Sequence, residues 1–203
     1  MMQRFSLRAV VLLASLVPAG GATAQSYLDF EARDERFRVR SASMEPTLRQ
    51  GSMVTARIGA MRPELPRRGE IILFRRHYEV GISRIIGLAG DTVAVAGGVV
   101  TVNGLTLARR GIAVPQGFTR RASRPNCFEE SLDGRDYVVC ETPGRTSPLR
   151  DIEPRLVPPG AVYVMGDNRD NAIDSRLARF GFLSMGDFYG RNPRADSSFM
   201  PLR

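Results

Sequence analysis

The chain has 203 residues, 43% of them hydrophobic, which is enough for one domain with a real core and a small inserted subdomain, and excludes a fibrous or disordered class. Its formal net charge is +8, but the basic residues are scattered and only 7% of residues are aromatic, which argues against nucleic acid as a partner and for a solvated basic surface near anionic lipid. All 29 Lys-plus-Arg side chains are arginine, and a guanidinium stays protonated at any working pH, so no lysine amine is available as a proton acceptor.

At the N-terminus Arg4 and Arg8 precede the apolar run Ala9 to Val17. Pro18 and two glycines interrupt it, and Ala22-Thr23-Ala24 supplies a small-residue cleavage pattern before Gln25. Residues 1–24 therefore read as a secretory leader, either cleaved or kept as a short anchor, since the run is shorter than the roughly 20 apolar residues of a membrane span. The expected location is beyond the inner membrane, in the periplasm or on that membrane's outer face. Residues 25–40 are charged and read as a connector.

Gly51 to Arg57 has the turn-then-alternation pattern of a strand, Pro63 to Gly69 marks a loop, and Ile71 to Phe74 and Ser83 to Ile86 are further strands. Gly87 to Asp91 is a turn; Thr92 to Val95 and Val99 to Val102 flank Gly97-Gly98 as a hairpin, and Asn103-Gly104 is a strong turn signal. From 105 to 159 the composition shifts towards Arg, Gly, Pro and Ser, with Tyr137-Val138-Val139 an isolated strand candidate; this stretch reads as an inserted subdomain. Within it Cys127 and Cys140 form either a disulfide, which suits an exported chain, or two buried thiols. With one histidine, His77, and no second cysteine pair, no metal site is expected, and no cofactor is implied. Ala161 to Met165 resumes the core, a short helix is predicted near Ser175 to Arg179, and 192–203 reads as a tail. Residues 41–104 and 160–191 would thus form a mainly β, barrel-like core.

Three polar motifs lie on this framework. Ser41-Ala42-Ser43-Met44-Glu45-Pro46-Thr47-Leu48 precedes the first strand, Ser83-Arg84 opens a run ending Gly87-Leu88-Ala89-Gly90-Asp91, and Gly166-Asp167-Asn168-Arg169-Asp170-Asn171-Ala172-Ile173-Asp174-Ser175-Arg176 follows an apolar strand. In this order they resemble the boxes of the type I signal peptidases, membrane-associated proteases that remove leader peptides with a serine and a lysine. The resemblance covers roughly Ser41 to Arg191 and implies a coiled antiparallel sheet with an insertion in one hairpin. It also implies Ser43 as nucleophile, the Ser43 N–H and Ser41 hydroxyl as oxyanion donors, and supporting roles for Met44, Pro46, Asp174 and Arg176. Preprotein leader peptides and a membrane surface are the partners it implies.

Two positions depart from that pattern together. Ser83 stands where the family has its lysine base, and Ala172 where a family serine helps hold the lysine amine. The paired loss leaves neither position with a stranded polar amine. His77, Asp174 and a water held by Ser83 are the alternatives for a base; on an extended strand His77 is about 20 Å from residue 83. Two functions follow: a serine endopeptidase with an atypical or missing base, or an inactive relative that binds leader-like peptides by strand addition.

Overall fold

The computed structural model describes residues 32–59, 65–76, 78–116, 118, 124–144 and 147–195. The leader expected over 1–24 and the candidate base His77 lie outside them. In chain order the strands are β1 (Arg33–Arg38), β2 (Met53–Ile58), β3 (Ile71–Arg76), β4 (Glu79–Gly87), β5 (Thr92–Ala96), β6 (Val99–Val102), β7 (Leu105–Thr106), β8 (Ala108–Ile112), β9 (Asn126–Leu132), β10 (Arg135–Glu141), β11 (Ile152–Leu156), β12 (Ala161–Met165), β13 (Leu183–Ser184) and β14 (Phe188–Ala195). They form a seven-stranded sheet in the order β1-β2-β14-β3-β4-β12-β13, a four-stranded sheet β11-β5-β6-β7 and a three-stranded sheet β10-β9-β8. All strand pairings are antiparallel, so the chain is mainly β, as its short strands and turn spacing predict.

Strand β12 is buried throughout, and its two-residue alternation places it between two cores. Ala161, Tyr163 and Met165 pack with Ile86, Val93, Val95, Val100 and Val102, while Val162 and Val164 pack with Ile72, Phe74 and Ile85. Adjacent residues of β4 divide in the same way, Ile85 to the second core and Ile86 to the first. Full burial of each such aliphatic side chain contributes about 1.5–3 kcal/mol. A third cluster joins Val39, Met44, Leu48 and Val54, with Phe37, Ile71 and Ile82 against it, and anchors the loop that follows β1.

The β6–β7 connection has Asn103 at φ 52° and Gly104 at φ 78°, the two left-handed residues that a tight hairpin turn needs. Asp133 (φ 51°) and Gly134 (φ 72°) do the same between β9 and β10. Tyr137 to Val139 is therefore the middle of a seven-residue strand rather than an isolated one. Cys127 and Cys140 are directly opposite in the β9–β10 register and are joined as a disulfide.

Four boundaries differ from expectation. The charged connector contains β1, because half-buried Phe37 packs on the third cluster and the strand pairs with β2 while its arginines stay in solvent. The stretch expected as a separate insertion shares its elements: β7 and β11 extend the sheet of β5 and β6, and Leu132, Tyr137 and Val139 enter the first core. Residues 175–179 form turns instead of a helix, held by Leu177 N–H to the Asp174 carbonyl and Phe180 N–H to the Leu177 carbonyl, both 3.0 Å. Strand β14 continues to Ala195, past the expected start of the tail.

Candidate active site

Ser41 and Ser43 lie in the loop between β1 and β2, whose shape follows from its apolar residues. Met44 is fully buried and Leu48 nearly so, and both plug the third cluster, leaving Ser41 exposed and Ser43 half-buried above it. The turn is closed by Glu45 N–H to the Ala42 carbonyl at 3.2 Å and Leu48 N–H to the Met44 carbonyl at 2.9 Å. The hydroxyls of Ser41 and Ser43 are 3.0 Å apart, a hydrogen bond. Met44 supports the loop from below, and Pro46 follows Glu45 through a cis peptide bond.

The loop after β12 straps this turn from the other side. Asn168 donates its backbone N–H to the Ser43 carbonyl at 3.0 Å and its side-chain amide to the Ala42 carbonyl, also at 3.0 Å. Thr47 donates its hydroxyl to Asp167 at 2.5 Å, and Arg84 grips the same carboxylate at 2.8 and 2.6 Å while donating to the Gly69 carbonyl at 2.7 Å. Burial acts to lower the Arg84 pKa, but the charge and hydrogen bonds of Asp167 outweigh it and hold the guanidinium above its ordinary range.

Gly166 sits at the junction. A side chain there would run into the Ala172 Cβ at 2.5 Å and the Ser43 carbonyl oxygen at 2.6 Å, so only glycine lets these two positions close on one point. Asp174 is fully buried, accepts the Gly166 N–H at 3.1 Å and pairs with Arg176 at 2.9 and 2.7 Å; Arg176 also donates to the Arg169 carbonyl at 2.6 Å. Both Asp174 oxygens are thus committed to holding Gly166 and Arg176.

Ser83 occupies β4, buried, opposite Ile72; its neighbour Arg84 pairs across to Met165, the residue before Gly166. The register that sets Ile85 opposite Val164 and Arg84 opposite Met165 therefore carries Ser83 to the level of Gly166, the junction on which Ser43 and Ala172 also close. Among the described residues no hydrogen bond links the Ser83 hydroxyl to Ser43.

Two links escaped the sequence reading. Asn168 was one polar residue in a polar run, and nothing in its spacing says that it reaches back over more than a hundred positions. The disulfide hairpin also touches the site, since Cys140 N–H donates to the Asp167 carbonyl and Arg169 N–H to the Cys140 carbonyl, each at 2.9 Å, and Arg169 pairs with the fully buried Glu130 of β9. The signal for the hairpin was Asp133-Gly134; for Asn168 there was none.

A model of the family described as signal peptidase, peptidase S26, matches residues 13–194. The chain belongs to this signal peptidase family. A signal peptidase I of Bacillus caldolyticus is 31% identical over 171 residues, covering 82% of this chain and 80% of the relative. A signal peptidase I of Pseudomonas aeruginosa is 30% identical over 161 residues, covering 70% of this chain and 54% of the relative, so the chain spans about half the length of that protein. A signal peptidase I from Enterococcus faecalis, known from its crystal structure, is 25% identical and covers 64% of this chain and 97% of that one, with a TM-score of 0.39.

Proposed function

We propose that this chain is a signal peptidase I-like serine endopeptidase that takes preprotein leader peptides as extended strands, cleaves after small residues, and does so without an amine base. The observation that carries the reading is the Ser41–Ser43 hydroxyl pair above a loop fixed from two sides, with the Ser43 N–H making no hydrogen bond among the described residues. In the proposed reaction the Ser43 oxygen attacks the scissile carbonyl carbon, its proton passing to water. The carbonyl electron pair moves onto oxygen, where the Ser43 N–H and the Ser41 hydroxyl receive it. Collapse breaks the C–N bond, the leaving amine takes a proton from water, and a second water hydrolyses the acyl-serine.

Oxyanion donors and binding alone sustain roughly 10³ to 10⁴-fold catalysis over water, so turnover is slow. Export beyond the inner membrane and contact of the +8 arginine surface with anionic lipid complete the reading. A second reading, a leader-peptide binder that does not turn over, is favoured by buried Ser83 and by Ala172 against Gly166, a pocket rebuilt without an amine.

The test is cleavage of an Ala-x-Ala leader peptide by the full chain, by Ser43→Ala and by the double variant Ser83→Lys with Ala172→Ser. Slow cleavage that vanishes in Ser43→Ala and rises at least about a hundredfold in the double variant is expected. A silent parent with an active double variant establishes the binder instead. Cleavage that persists in Ser43→Ala removes both readings.

A further inference from the structure

The Ala42 carbonyl and the Ser43 N–H belong to one planar peptide group and point in opposite directions. Whatever fixes the carbonyl therefore aims the N–H. The Asn168 side-chain amide donates to that carbonyl at 3.0 Å, opposite the face on which the N–H meets no acceptor among the described residues, and the Asn168 backbone N–H fixes the next peptide by donating to the Ser43 carbonyl at 3.0 Å. Asn168 is itself buried at 7% exposure and held in place by a parallel bridge to Cys140, whose backbone bonds to the residues on either side of it. The other donor to the Ala42 carbonyl, Glu45 N–H at 3.2 Å, belongs to the same turn and moves with it, so Asn168 is the contact that references the peptide plane to the rest of the fold.

From this geometry we infer that Asn168 is a positioning residue: through the Ala42 carbonyl it orients the Ser43 N–H towards the oxygen of a tetrahedral adduct on Ser43, and by donating to one end of the peptide it strengthens the donor at the other. The inference rests on the proposal that Ser43 attacks a carbonyl. It adds a group that touches neither substrate nor the reacting atoms and acts only through the peptide plane. Substrate in its ground state gains nothing from that orientation; the adduct does.

The probe is an alanyl peptide boronic acid. Its trigonal boron accepts an electron pair from the Ser43 oxygen to form an O–B bond, the hydroxyl proton passes to solvent, and one boron oxygen takes the oxyanion position. Asn168→Asp keeps the shape and the backbone bond but removes the side-chain donor, and Asn168→Ser shortens the side chain if the aspartate variant does not fold. Each is made in the parent and in the Ser83→Lys, Ala172→Ser background. The expected result is a roughly hundredfold loss of boronate affinity and, in the active background, an equal loss of kcat, with KM for the leader peptide unchanged.

Boronate affinity equal to that of the parent overturns the inference. So does a loss of boronate affinity matched by equal losses of peptide affinity and melting temperature, which marks a merely structural residue. If no variant cleaves the leader peptide, the proposed function fails, and the boronate comparison still decides the role of Asn168.

Discussion

At the scale of single residues, the order of motifs points to the serines, and the position before Arg84 makes Ser83 stand out as a departure from the resemblance. Asn168 was not legible, because a side chain that bonds a carbonyl 126 positions away leaves no local pattern. The motif order suggests Asp174 as a supporting group, and its two oxygens are divided between Gly166 and Arg176. The absence of an amine has a kinetic signature. In the proposed reaction of the parent the proton leaves Ser43 for solvent, so cleavage is expected to rise about tenfold per pH unit through the range between pH 7 and about 10 without levelling. In the Ser83→Lys, Ala172→Ser variant the rate is expected to level off below the ordinary lysine value of about 10.4, because burial favours the neutral amine. A pH–rate profile of both proteins checks this; a plateau in the parent reveals a titrating base.

Among elements, the strands with strict alternation or apolar runs, β2, β3, β5, β6 and β12, were readable before their partners were known. Strand β1 was not, because a charged edge strand shows its arginines to solvent and only Phe37 to the core, which leaves almost no periodic signal. The β9–β10 hairpin was obscured by the polar composition around it, although Asp133-Gly134 carries the same turn chemistry as Asn103-Gly104. Its disulfide ties the open end of that hairpin, next to the backbone bonds from Cys140 to Asp167 and Arg169. Replacing both cysteines by alanine is expected to cost about 3 kcal/mol of stability, read as a lower urea midpoint with a slightly steeper slope, because the unfolded chain loses its cross-link and exposes more surface. An unchanged midpoint would mean that the seven residue pairs and the Glu130–Arg169 ion pair hold the hairpin unaided.

For the whole molecule, the sequence suggested a core and an insertion, and the structure joins them. Leu132, Tyr137 and Val139 of the hairpin share one hydrophobic cluster with Tyr163 and Met165 of β12, and β12 also walls the second cluster. Sharing of this kind is invisible to a reading that proceeds along the chain, since it is decided by which sheet face each alternate residue meets. It predicts one unfolding transition. Near-ultraviolet tyrosine signals, to which buried Tyr137 and Tyr163 contribute, and far-ultraviolet strand signals are expected to change at the same urea concentration. Two separated transitions would show the hairpin to be an independent unit.

The position of β1 has a mechanical consequence. Among the described residues it pairs only with β2, from Arg33 opposite Ile58 to Arg38 opposite Met53, and a pull on its N-terminal end directed away from the sheet loads these pairs one at a time, like a zip. Beyond the zip, Val39 is fastened on both sides, its N–H to the Ser52 carbonyl and its carbonyl to the Gly51 N–H, two residues before Ser41. Tension arriving along the chain is therefore spent in peeling an edge strand before it reaches that knot, and the serine loop behind it keeps its shape while the segment in front is tugged.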